Sequence, residues 1–186
     1  MKRKFLQGLM FAAAVIALAS CGDDDDDKAP ANYITYDGTT KGIVTAVAFP
    51  GSKYTGADGK VVYGHDLSFG DVSMDSPETA AYSAVHVTVY TATEDLADGT
   101  YTVIDSKTRA TANTANSGDV SIDTKYSEDG ELVSGKEYDI ISGTVTLKKS
   151  GDSYAFDFTG KAAAEGAAAS TAKDVKVHYN GTFIKF

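Results

Sequence analysis

From Tyr33 onward, apolar and polar residues alternate with a period of two, and turn signals break the pattern roughly every 8 to 20 residues. The clearest pair lies near the end. Ile141, Gly143, Val145 and Leu147 alternate with Ser142, Thr144, Thr146 and Lys148; Ser150-Gly151-Asp152 turns the chain; Tyr154, Phe156 and Phe158 then alternate with Ala155, Asp157 and Thr159. That reads as a hairpin with one dry face and one wet face. Val85, Val87 and Val89 predict a second strand, with Ala84, His86 and Thr88 on its other side. Val61, Tyr63, His65, Leu67 and Phe69 make one face of a third. Shorter candidates are Tyr33–Tyr36, Ile43–Phe49, Thr100–Ile104, Val120–Tyr126 and Val175–Phe186.

Asp-Gly pairs at 37–38, 58–59, 98–99 and 129–130, with Asn180-Gly181, supply turn chemistry between these runs. The 20 threonines suit strands as well. Only Ala162–Lys173 is rich in helix formers; Gly166 interrupts it and no apolar stripe emerges, so a long hairpin loop is expected there. Long loops are also expected at 70–81 and 105–118. The prediction is an all-β domain over residues 33–186. Its form would be an antiparallel β-sandwich or a partly closed β-barrel of about 8–10 strands.

The first 20 residues follow a different pattern. Lys2, Arg3 and Lys4 precede an apolar stretch from Phe5 to Ala19, which as a helix would reach about 22 Å. A bilayer core needs roughly 30 Å, so the segment reads as a secretory signal peptide and not as a permanent span. Leu18-Ala19-Ser20-Cys21 resembles the lipobox of bacterial lipoproteins. The resemblance implies cleavage before Cys21 and acyl chains on Cys21 that hold the mature protein on the outer-membrane bilayer. Several chains anchor stably where one would be marginal. Cys21 is the only cysteine, so the domain has no disulfide framework.

Residues 21–32 form the lipidated Cys and a tether. Asp23 to Asp27 are five adjacent carboxylates that repel one another and stay solvated. An acidic cluster directly after the lipobox resembles the export signal of Bacteroidetes surface lipoproteins. The resemblance extends to Tyr33-Ile34-Thr35-Tyr36-Asp37-Gly38-Thr39, to Leu96-Ala97-Asp98-Gly99-Thr100-Tyr101, and to Ser142–Thr146 with Gly151–Tyr154, as in the small all-β lipoproteins common in that phylum. It implies a domain facing the extracellular side of the outer membrane. A plain spacer on a periplasm-facing lipoprotein is the alternative. The resemblance brings no catalytic residues with it.

Charge narrows the partners. The net charge is −9, and removal of the leader takes three further positive charges away. Such a chain has no electrostatic footprint for nucleic acid. Nothing in the chain matches a nucleophile elbow, a P-loop, a His-Glu-x-x-His helix or a dinucleotide fingerprint. Gly64-His65-Asp66-Leu67-Ser68 contains the three residue types of a serine triad, but alternation sends His65 to the face opposite Asp66 and Ser68. His65 is expected to be buried and hydrogen-bonded, and His178 to face solvent beside Lys176. No cofactor or metal site is predicted.

One strand face is neither plainly polar nor plainly core. Tyr82, His86 and Tyr90 share it, and tyrosine supplies large contact area at low entropic cost, so these three are the candidate ligand-binding residues. The reading that follows is a surface-anchored, non-catalytic binding module for a small molecule, glycan or peptide. The alternative is a structural or accessory subunit that docks on another envelope protein. An enzyme is the least favoured class.

Overall fold

The computed structural model describes residues 30–76, 80–104 and 110–185. Cys21, the leader and the acidic tether lie outside the described residues.

Among the described residues there are twelve strands: β1 (Tyr33–Tyr36), β2 (Thr39–Gly42), β3 (Thr45–Ala48), β4 (Ser52–Thr55), β5 (Val61–Gly70), β6 (Tyr82–Thr91), β7 (Gly99–Ile104), β8 (Thr114–Tyr126), β9 (Leu132–Ser150), β10 (Ser153–Ala163), β11 (Lys173–Gly181) and β12 (Ile184–Lys185). They join one sheet in the order β12-β3-β5-β6-β8-β7-β9-β10-β11-β1-β2, with β4 added beside β5 and β8 also pairing β9. The sheet is not closed into a barrel, and β12 and β2 end its order. It is sandwich-like instead. Phe69 of β5 meets Phe156 of β10 with ring centroids 4.3 Å apart, so the two halves of the sheet face each other across one core.

Alternation explains the inner faces. Val85, Val87 and Val89 on β6, Val145 and Leu147 on β9, and Tyr154, Phe156 and Phe158 on β10 are all buried. Between β9 and β10 only Gly151 and Asp152 remain outside the ladder, Ser150 pairs Ser153, and Gly151 takes φ +60° as a two-residue turn requires.

Besides Val61, which is exposed while its neighbour Val62 is buried, and Asn180-Gly181, which lies inside β11 and not in a turn, the structure departs from the sequence pattern in four places. The strand count exceeds the expected 8–10 because β2, β4 and β12 are short pieces of two to four residues without a clear alternation of their own. The sheet is mixed, since β7 runs parallel to β8 and β12 parallel to β3. Strand β8 begins at Thr114, inside the stretch expected to be a loop, and residues 162–163 extend β10 with both alanines buried. The remainder of that last loop carries a single 3-10 turn at Ala169–Thr171.

The fourth departure is a β-bulge. Lys161 pairs Ser142 but Ala162 pairs Ile140, which leaves Ile141 as the extra residue. The bulge reverses the parity of β9, so Ile140 is fully buried and Ile141 is 40% exposed. Ile141 therefore does not belong to the dry face that strict alternation gave it.

Candidate functional site

Strands β5, β6 and β8 turn a polar face outward. Tyr82, His86 and Tyr90 all lie on it, half-exposed, as period-two alternation from the buried valines requires. They do not converge. Successive members are four residues apart, or about 14 Å along an extended strand, and each is engaged by a different neighbour. Tyr90 packs edge-on against Tyr54 of β4, with centroids 6.0 Å apart, above Gly64, where a Cβ would stand 2.9 Å from one ring and 3.0 Å from the other. Tyr82 stacks on Tyr126 of β8 at 6.3 Å. Burial raises the pKa of both Tyr82 and Tyr90, so both phenols stay protonated at neutral pH.

Between the two tyrosine pairs sits a cluster that the linear sequence conceals. Ser68 stands opposite His86 in the β5–β6 register, with Oγ 2.9 Å from Nδ1. Asp66 Oδ1 lies 4.0 Å from His86 Nε2 and accepts the Thr88 hydroxyl at 2.5 Å. The Gly64–Ser68 string thus does meet a histidine, but one from the next strand. Strands β5 and β6 are paired on both sides, which directs their amides into the sheet plane, away from this face. An oxyanion needs two converging donors, and the paired amides of β5 and β6 do not supply them beside Ser68. Asp119 pairs with His86 from the β8 side. Although that residue is exposed, loss of water around its carboxyl pushes its pKa up, against the pull of His86 and with added repulsion from Glu137 and Asp139.

His65 occupies the opposite face. It is 3% exposed, its Nε2 shares a hydrogen bond with Thr91 Oγ1 at 2.9 Å, and burial pushes its pKa down. It is a core histidine. His178 is half-exposed beside Tyr33, ring centroids 5.7 Å apart, and its Nδ1 lies 2.7 Å from Asp157 Oδ1.

A second surface was not singled out by sequence. The outer face of β1, β2 and β11 forms a cleft of about 440 Å³ lined by Tyr33, Thr35, Gly38, Thr40, Asp174 and Lys176. It is an open, shallow depression and not an enclosed cavity. Thr35 and Thr40 stand opposite each other and their hydroxyls are 3.0 Å apart. Lys176 is opposite Thr35, and Tyr33 is opposite His178. Alternation in Tyr33-Thr35 and in Lys176-His178 places each pair on a wet face. Only the pairing of the first strand with the eleventh joins them, and no local pattern announces it.

Among the described residues, no group of His, Cys, Asp and Glu side chains is arranged to hold a metal ion, and no helix is long and apolar enough to cross a membrane. No protein-family model, curated protein or solved structure matches the chain.

Proposed function

We propose that this chain is a lipid-anchored module at the extracellular side of the outer membrane, which captures a small polar ligand or glycan without chemistry of its own. The anchoring half of the reading rests on the Leu18–Cys21 box and the five aspartates behind it. The binding half is carried by the β1–β2–β11 cleft, where an aromatic ring, two hydroxyls and both signs of charge line one concavity. The β5–β6–β8 face with Tyr82, His86 and Tyr90 is the second candidate surface. A docking subunit is the alternative, favoured by Leu132 and Val133, two large apolar side chains left exposed at the start of β9.

The test uses the full-length lipoprotein in detergent micelles, melted against glycans, haem, divalent metals and short peptides. A ligand at 100 times its Kd stabilises the folded state by about 2.7 kcal/mol, a shift of several degrees. A reproducible shift supports the binding reading, and a flat panel turns the case toward a protein partner. In parallel, Cys21→Ala should release the protein from membranes. Unchanged membrane association would refute the lipid anchor.

A further inference from the structure

Seen across the strands, the cleft is one end of a longer surface. Thr40, Thr35, Lys176, Thr159, Thr144 and Thr102 follow one another in direct register over β2, β1, β11, β10, β9 and β7. Residues directly opposite share a face, so this is a single row of side chains, and all six are exposed or half-exposed. At about 4.8 Å per strand the row spans about 24 Å. A parallel row runs beside it through Tyr33, His178, Asp157, Thr146 and Thr100.

A threonine hydroxyl both donates and accepts, which suits a ligand built of hydroxyl groups. Under β1, β11, β10, β9 and β7 the backbone is consumed by the ladder, and only the outer edge of β2 stays open to an added strand. Charge then selects within the polyols. The carboxylates around the cleft have near partners: Asp37 has Lys173 at 3.3 Å, Asp174 has Lys161 at 2.9 Å, and Asp157 shares a hydrogen bond with the His178 ring at 2.7 Å. Lys176, at the centre of the row, makes no ion pair among the described residues. Its ammonium lines the cleft together with Tyr33 and lies near enough to Asp174 to help Lys161 hold that carboxyl's pKa down. A polyanion would be repelled by a chain of net charge −9, but a single carboxylate fits one lysine that is outside any close ion pair.

We infer that this face takes a glycan carrying an isolated carboxylated sugar, with the hydroxyls of the chain along the threonine row and the sugar carboxylate on Lys176 beside Tyr33. This rests on the binding-module reading and gives it a ligand class. The test is saturation-transfer NMR on the full-length protein in micelles. The probes are D-glucuronate and D-galacturonate against D-glucose and D-galactose, repeated with Lys176→Met and Lys176→Arg. The exposed Lys176 side chain makes these substitutions safe for folding, which an unchanged melting temperature checks. The uronates should bind more tightly than the neutral sugars, Lys176→Met should weaken them about fivefold, and Lys176→Arg should restore them. Equal binding of charged and neutral sugars, indifferent to Lys176→Met, overturns the carboxylate assignment and leaves the binding-module reading standing. No uronate binding overturns the inference outright, while the broad ligand panel decides the wider reading by itself.

Discussion

Ser68 and His86 face each other across the β5–β6 ladder, and the serine hydroxyl lies 2.9 Å from the imidazole Nδ1. The contact is half-buried, so removing one partner leaves the other short of a bond. Ser68→Ala should lower stability by about 1 kcal/mol in urea unfolding. A double-mutant cycle with His86→Ala should return a coupling of at least about 0.5 kcal/mol. Additive single-site effects would show that the pair is a coincidence of register.

His65 makes stability depend on pH. Its folded pKa lies below the ordinary 6.5 because burial disfavours the charged ring. The unfolded chain therefore binds a proton more readily, and its contribution is fully present above about pH 6.5 and is lost as pH falls below it. Urea midpoints taken from pH 8 to pH 5 should drop more steeply for the native chain than for His65→Gln. Parallel curves would mean that the ring carries its proton in the core.

The β6–β8 pairing admits no side chain at Gly118. A Cβ there would stand 1.7 Å from the His86 carbonyl oxygen, on backbone that is itself paired. Gly118→Ala should cost about 3 kcal/mol or more, read as a large fall in melting temperature or loss of soluble protein. A near-native melt would show that the β8 bulge is free to slide.

Ile140 and Ile141 are adjacent and alike, yet the β9 bulge puts one inside and one outside. Ile140→Ala should cost about 2–5 kcal/mol by opening a cavity. Ile141→Ala, at an exposed site, should stay within about 0.5 kcal/mol. Equal losses would mean that β9 keeps unbroken alternation.

The core strands were legible because their signal is local. Val85-Val87-Val89 and Tyr154-Phe156-Phe158 announce both strand and buried face in five residues each, and Gly151 marks the turn between β9 and β10. Ile141 was misplaced because a bulge adds a residue without changing the composition around it. Strands β2 and β4 went unseen because Thr39–Gly42 and Ser52–Thr55 contain too few apolar positions to alternate. The same distinction governs the surfaces. Tyr82, His86 and Tyr90 share a face, as their spacing says. Spacing within one strand says nothing of cross-strand partners, so Ser68 and Asp66 beside His86, and Lys176 beside Thr35, emerge only from register.

That same register fixes the order in which the molecule can become complete. Strand β1 finds its place between β2 and β11, with Tyr33 against His178, and Asn32 holds the far end by accepting the Asn180 amide at 2.8 Å. The opening strand must wait for a partner synthesised some 140 residues later. A polypeptide interrupted before Lys173 leaves β1 and β2 with no sheet to join and exposes the outer edge of β10. Closure across so long a separation is slow compared with local pairing. On the proposed reading, in which the chain is exported across a membrane, this would postpone completion of the sheet until β11 has arrived on the far side.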